Sequence, residues 1–236
     1  MGPNMKHLKL FYHLLKCVLI NLALVAFLIS SASHASEIIA EYSVSTSGIK
    51  IGRFTWSLNI NNGNYETKIF LKNSGLFSPL YKFKGEYVSR GEVKNDYFNT
   101  KYYRQYWETN KITKIIEMTF VEKLNELVQE PKEKEHARIN LNDLFGYNDP
   151  IVSFVNILKG NDSIKTIDGR RTYVMKKKIE KNDDKIILEI NDYQNIWADH
   201  KRNDLNKIEF ILEKENFLPT KINIFFKDRI FRLLKN

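Results

Sequence analysis

From Glu37 to the end of the chain, apolar and polar residues alternate with a dominant period of two. This is the pattern of strands with one face turned to a core and the other to water. Helical periodicity is rare. Strand-like segments run from Glu37 to Ser45, Ile49 to Asn59, Tyr65 to Lys72, Phe83 to Val93, Thr100 to Thr109 and Ile112 to Glu122. After one helical interruption they resume at Ser163 to Ile167, Arg171 to Ile179, Lys185 to Asn191, Lys207 to Glu213, Lys221 to Phe226 and Arg229 to Leu234. Turn residues separate them. Asn61-Asn62-Gly63-Asn64 tolerates positive φ between two alternating runs, and Asn110-Lys111, Asn182-Asp183-Asp184 and Lys227-Asp228 punctuate others, so neighbouring strands are predicted to be antiparallel hairpins. Twelve Tyr, fifteen Phe and only ten Gly and five Pro suit pleated, half-buried strands and exclude a linker-rich chain.

The inward parity shifts between Ile51 and Phe54, which predicts an extra residue, a bulge, at Gly52-Arg53. Bulges bend sheets, and a bent sheet can curl around a filling element. The one strong helical signal supplies it. Asp149 can cap, Pro150 suits the first helical position, Ile151, Phe154, Val155 and Leu158 form an apolar stripe, and Gly160 can end the helix. Burying four such side chains contributes roughly 6 to 12 kcal/mol. Fixing about a dozen backbone residues costs roughly 12 to 24 kcal/mol, so this helix persists only if the sheet shares its ordering. The expected architecture is therefore mainly β, a strongly curved, open, barrel-like antiparallel sheet wrapped around one principal helix near 149–160. A shorter helix is expected at Ser74 to Tyr81, and a charged loop at Glu130 to Asn140. No internal repeat is present.

Lys6, Lys9 and Lys16 precede a 13-residue apolar run, Cys17 to Ile29, broken only by Asn21, and Ser33-His34-Ala35 offers small residues where a signal peptidase reads. Residues 1–35 are expected to be a cleaved export signal, the mature single domain to span 36–236, and the compartment to be the periplasm. A membrane anchor would need roughly 20 apolar residues. Cys17 is the only cysteine, so the mature chain has no disulfide, thiolate nucleophile or cysteine-ligated metal. Of the formal net charge of +9, the three leader lysines leave a mild excess of +6. Nucleic acid is not an expected partner; an apolar or amphipathic small molecule, a lipid or an envelope protein is.

Chemistry-bearing constellations are few. His136 and His200, the two histidines after the leader, lack ligand spacing, so no metal or other cofactor is expected. No serine lies in a Gly-x-Ser-x-Gly context, so no catalytic residue is assigned. Glu86, Arg90, Arg104 and Glu108 could form an acid–base cluster, but a lattice of cross-strand ion pairs on a solvated face is the stronger account of them. The triple lysine Lys176 to Lys178 splits by alternation into two faces.

Aromatic residues occupy both parities of one strand, Tyr102 and Tyr106 against Tyr103 and Trp107. One face meets the core. The other exposes large rings unless something covers them, as in a curved sheet that builds a trough for an apolar ligand. Phe83, Gly85, Tyr87 and Ser89 share a face in which Gly85 leaves room. The candidate ligand-binding residues are thus Trp56, Leu58, Phe83, Tyr87, Tyr103, Trp107, Phe154 and Leu158, with a cavity beside Trp56, Tyr87 and Phe154 as the feature that would favour carriage.

Three stretches, YSVSTSGIKIG (Tyr42 to Gly52), GLFSPLYKFKGEYVSRG (Gly75 to Gly91) and DGRRTYVMKK (Asp168 to Lys177), together resemble the exported bacterial family called domain of unknown function 3108. The resemblance covers nearly the whole mature chain. It implies a periplasmic protein without assigned activity and, by looser similarity, a sheet curved around helices as in lipoprotein-carrier folds. It supplies no catalytic residues. These features suit a carrier first, then an envelope scaffold acting through a sheet edge or aromatic face, and least a hydrolase.

Overall fold

Every alternating segment becomes a strand in the computed structural model, which describes residues 36–75, 82–179, 185–197, 204–213 and 217–236. The expected leader, nearly all of the short helix from Ser74 to Tyr81, the Asn182-Asp183-Asp184 turn and His200 lie outside the described residues. The first run of strands comprises β1 (Ser36–Thr46), β2 (Ile49–Asn61), β3 (Asn64–Asn73), β4 (Phe83–Lys94), β5 (Tyr97–Thr109), β6 (Thr113–Val121) and β7 (Lys123–Glu130). After helix α1 (Pro150–Leu158) come β8 (Ser163–Ile167), β9 (Arg171–Ile179), β10 (Lys185–Asn195), β11 (Leu205–Ile211), β12 (Lys221–Phe226) and β13 (Arg229–Lys235).

All thirteen form one sheet in the order β7-β6-β5-β4-β3-β2-β1-β13-β12-β11-β10-β9-β8. Every neighbouring pair is antiparallel. From β1, in the middle of the sheet, the chain walks to one edge, crosses through α1 to the opposite edge and walks back until β13 docks on β1. Hairpin chemistry follows the sequence. Ser47 and Gly48, and Asn62 and Gly63, take positive φ between their strands, as the twist of paired strands requires.

Curvature comes from extra residues. Val44 pairs with Gly52 and Ser45 with Lys50, so Ile51 is the bulged residue, one position before the expected Gly52-Arg53. Gly52 is needed beside it, since a Cβ there would lie 2.7 Å from the Lys72 carbonyl oxygen. Further register shifts occur where β5 meets β4, in the β6–β7 hairpin, and in β10 and β11. Two sequence expectations change. β5 begins at Tyr97 rather than Thr100, because Asn95 and Asp96, both at positive φ, make a tight turn. β7 was not anticipated. A shift between Thr119 and Phe120 leaves Asn125 unpaired, so the buried Leu124 and the half-buried Leu127 fall three apart and the period of two is lost.

Helix α1 is buried from Ile151 through Ile157. Its polar groups replace a missing strand. β6 pairs with β5 only from Tyr102 onward, which leaves the main-chain groups of Phe98 and Thr100 facing no strand. Asn156 takes both groups of Phe98, accepting its N–H at 2.8 Å and donating to its carbonyl at 2.8 Å. Asn148 accepts the Thr100 N–H at 2.9 Å through its side chain, while its main chain bonds Lys165 and Ile167 around β8. Ser153 pairs with Thr166 at 2.8 Å, and Lys177 donates to the Gly160 carbonyl beyond the helix end at 3.1 Å. These bonds tie the helix segment to β5 on one side of the unclosed sheet and to edge strand β8 and its neighbour β9 on the other. Buried polar groups must be paired, and here each partner is specific.

Asp149 anchors the assembly. One carboxylate oxygen caps the Ile151 and Val152 N–H groups at 2.8 and 3.2 Å, and the other accepts from Ser89 at 2.6 Å and Thr100 at 2.7 Å. Burial nevertheless raises its pKa, against the lowering effect of these donors. Asp149→Ala is expected to destabilise the fold by about 3 kcal/mol in urea unfolding, since it strands buried donors. Asp149→Asn keeps an acceptor at the cap and should cost roughly a third of that. Because the folded pKa is raised, the stabilisation from Asp149 is full below its unfolded pKa and lost as pH rises through the folded value. The stability of Asp149→Asn relative to wild type should therefore increase with pH across that window.

Candidate functional site

The inner face of the sheet is filled unevenly. At one end Leu58, Tyr65 and Phe98 are buried in the core, Tyr65 against Phe98 with ring centroids 5.2 Å apart. At the other end the same face encloses a partly open cavity of about 400 Å3. Val44, Phe54, Trp56, Ile69 and Leu71 from β1 to β3 form one wall. Ile208, Ile222, Ile224, Phe231 and Leu233 from β11 to β13 continue the lining across the β1–β13 seam, where Val44 pairs with Leu233, and Pro150, Ile151 and Phe154 close the floor. A volume in the range of roughly 300 to 1,000 Å3 is typical of small-molecule sites.

The apolar walls are held by their neighbours. The Trp56 indole N–H donates to the Thr67 hydroxyl at 2.9 Å, which donates in turn to the Ser57 carbonyl at 2.9 Å. With that polar atom satisfied, the ring packs on Phe154 at 5.6 Å, and Phe154 on Phe210 at 5.0 Å.

A polar sector interrupts the apolar lining. Tyr87, Tyr103, Gln105, Asp168 and Tyr173 all border the cavity. Tyr103 donates to Gln105 at 3.4 Å, whereas the Tyr87 and Tyr173 hydroxyls find no protein partner among the described residues. Burial pushes the pKa of Tyr87, Tyr103 and Tyr173 up, and the Asp168 charge pushes it further, so all three are protonated donors at neutral pH. Burial also raises the Asp168 pKa, opposed by Arg171 and by the N–H groups of Arg170 and Arg171.

The turn that carries Asp168 is fixed from both sides. One carboxylate oxygen accepts from the Arg170 and Arg171 N–H groups at 2.9 and 2.8 Å. The Gly169 carbonyl accepts from Gln129 of β7 at 2.9 Å and from Trp197 at 3.1 Å. Gly169 has φ +80°, and a Cβ there would fall 2.3 Å from Ile116, so only glycine lets this turn seat against β6.

Of the eight candidate ligand-binding residues, the structure gathers Trp56, Tyr87, Tyr103 and Phe154 around the cavity. Leu58 is fully buried and does not line it, and Leu158 is half-buried near the end of α1. Phe83 and Trp107 stack edge to face at 4.5 Å on the same inner face, outside the lining. Alternation could not tell Leu58 from Trp56, because parity names the face and not the depth along the strand. Asp168, Tyr173, Gln105 and the lining of β11 to β13 were missed. The inward parity of the C-terminal strands carried the signal, but which strands share one stretch of lining depends on β13 joining β1.

Glu86, Arg90, Arg104 and Glu108 do not converge. Each is in its own pair, with Lys84 at 3.7 Å, Glu66 at 2.6 Å, Glu117 at 3.0 Å and Lys82 at 2.5 Å respectively. None lines the cavity. The outward aromatics are covered by these cations, with Arg90 over Tyr102 at 5.6 Å and Lys84 and Arg104 over Tyr106 at 5.4 and 5.6 Å. Among the described residues, no group of three His, Cys, Asp or Glu side chains could hold a metal ion, and no helix is long and apolar enough to cross a membrane.

The fold is that of an open, barrel-like antiparallel β protein. A crystal structure of a beta-barrel-like protein of domain of unknown function DUF1849 from Brucella abortus is similar, with 11% identity and a TM-score of 0.48 over 87% of this chain and 98% of that one. No family model and no curated protein matches the chain.

The hollow and solid ends should respond differently to added volume. Leu58→Phe is expected to cost about 1 to 3 kcal/mol through overpacking. Leu71→Phe, which can extend into the cavity, should change stability by less than about 1 kcal/mol. Paired urea titrations check this.

Proposed function

We propose that this protein is a periplasmic binding or carrier module that shelters the apolar part of an amphipathic envelope component, without covalent chemistry. The observation that carries the reading is the cavity of about 400 Å3 with apolar walls and one polar sector. Solid packing would serve a purely structural domain better, since unfilled volume lowers stability. The reading also takes residues 1–35 as a cleaved export signal. It keeps the resemblance to domain of unknown function 3108 as part of the proposal; the three stretches that carry it contribute Gly52 beside the bulge, Gly85 to the inner face, and Tyr87 and Asp168 to the cavity.

A second reading, a scaffold for an envelope protein, draws on the apolar side chains exposed beside the edge strand, Val121 at 62% and Phe145 at 54%.

The test uses the mature chain and the neutral fluorescent probe N-phenyl-1-naphthylamine. Saturable fluorescence enhancement is expected, with affinity reduced at least about tenfold in Val44→Phe/Ile222→Phe, which fills the cavity. An enhancement equal in both proteins, or none in the wild type, would remove the carrier reading.

A further inference from the structure

The proposed carrier role leaves the head group of its ligand open, and the wall chemistry narrows it. We propose that Asp168 makes the cavity selective for single-chain amphiphiles with an uncharged or cationic hydrogen-bonding head, and against carboxylate or phosphate heads. This inference rests on the carrier reading and deepens it.

Size limits the chain. A partly open cavity of about 400 Å3 lies toward the small end of the roughly 300 to 1,000 Å3 typical of small-molecule sites, which suits one acyl chain better than two.

Charge limits the head. The cavity lining contains one carboxylate, Asp168, and no Lys, Arg or His among the described residues. The nearest base, Arg171, lies 3.8 Å from the Asp168 carboxylate. It sits over the Tyr193 ring at 5.6 Å and is not itself part of the lining. An anionic head entering the polar sector would approach a like charge that Arg171 offsets only from behind the lining, at 3.8 Å.

Hydrogen bonding sets what is accepted. One Asp168 oxygen is committed to two main-chain N–H groups, while the other has only the long pairing with Arg171. It is an acceptor with capacity to spare. The unpartnered hydroxyls of Tyr87 and Tyr173, together with the Gln105 amide, complete a site that can both accept from and donate to a hydroxyl, ester or amine head.

The experiment displaces N-phenyl-1-naphthylamine from the mature protein with lauryl probes below their micellar concentrations: monolaurin, dodecylamine and laurate. Monolaurin and dodecylamine should displace the probe, with laurate at least about tenfold weaker. In Asp168→Asn, whose amide oxygen can still accept the Arg170 and Arg171 N–H groups, laurate should approach monolaurin to within about threefold. Tyr87→Phe should weaken monolaurin roughly threefold to tenfold through loss of one hydrogen bond and leave the discrimination against laurate in place. Laurate equal to monolaurin in the wild type overturns the inference, as does a preference unchanged in a folded Asp168→Asn. These failures differ from failure of the carrier reading, in which neither the fluorescent probe nor any lauryl compound binds.

Discussion

The structure depends on the start of β5, which is paired with β4 on one side only. There the ladder to β6 has ended, and a strand with free N–H and C=O groups inside a protein cannot persist without partners. Asn148 and Asn156 supply them, one from the approach to the helix and one from its middle. Because Asn148 also bonds β8 through its main chain, a single short segment satisfies one side of the gap in the sheet while bridging to the other. The helix is thus placed by directional bonds, and its apolar surface then drives the surrounding inner face to collapse on it.

Element lengths explain why the collapse is incomplete. The nine residues of α1 span about 13 Å at 1.5 Å per residue. The longest strands, of thirteen residues, reach about 43 Å at roughly 3.3 Å per residue. A rod so much shorter than the staves around it can occupy one end only. The hydrogen bonds to Phe98 and Thr100 decide which end is solid, and the other keeps its volume. Aromatic residues that line this remainder are supported from behind, as Trp56 is by Thr67, so they do not close the space by turning inward.

Much of this was legible in the residues. Period-two alternation, the Asn-Gly turn, the parity break before Phe54 and the Asp149-Pro150 helix start are local features whose physics acts over a few residues. They gave the strands, the bulge and the helix with small boundary errors. Three things were hidden for identifiable reasons. β7 lost its alternation to a bulge, so its leucines fell at helix-like spacing. The depth of Leu58 and Trp56 within the interior depends on where the helix ends. The polar role of Asp168 arises only when β8 and β9 are brought against β6 and β7, a meeting between segments distant in sequence.

The docking of β13 on β1 has a kinetic consequence. Apart from the helix crossing, every other strand pairing joins sequence neighbours, so each half of the chain can zip up as a local meander. The central seam is different: the Tyr42 hydroxyl reaches the Pro219 carbonyl at 2.8 Å across 177 residues, and the Asn236 N–H bonds the Glu41 carbonyl at 2.9 Å. Loop closure of that span carries an entropic cost that short hairpins avoid, and non-local pairing of this kind slows folding. The cavity lining is complete only once that seam has formed, because β1 to β3 and β11 to β13 belong to different halves of the chain.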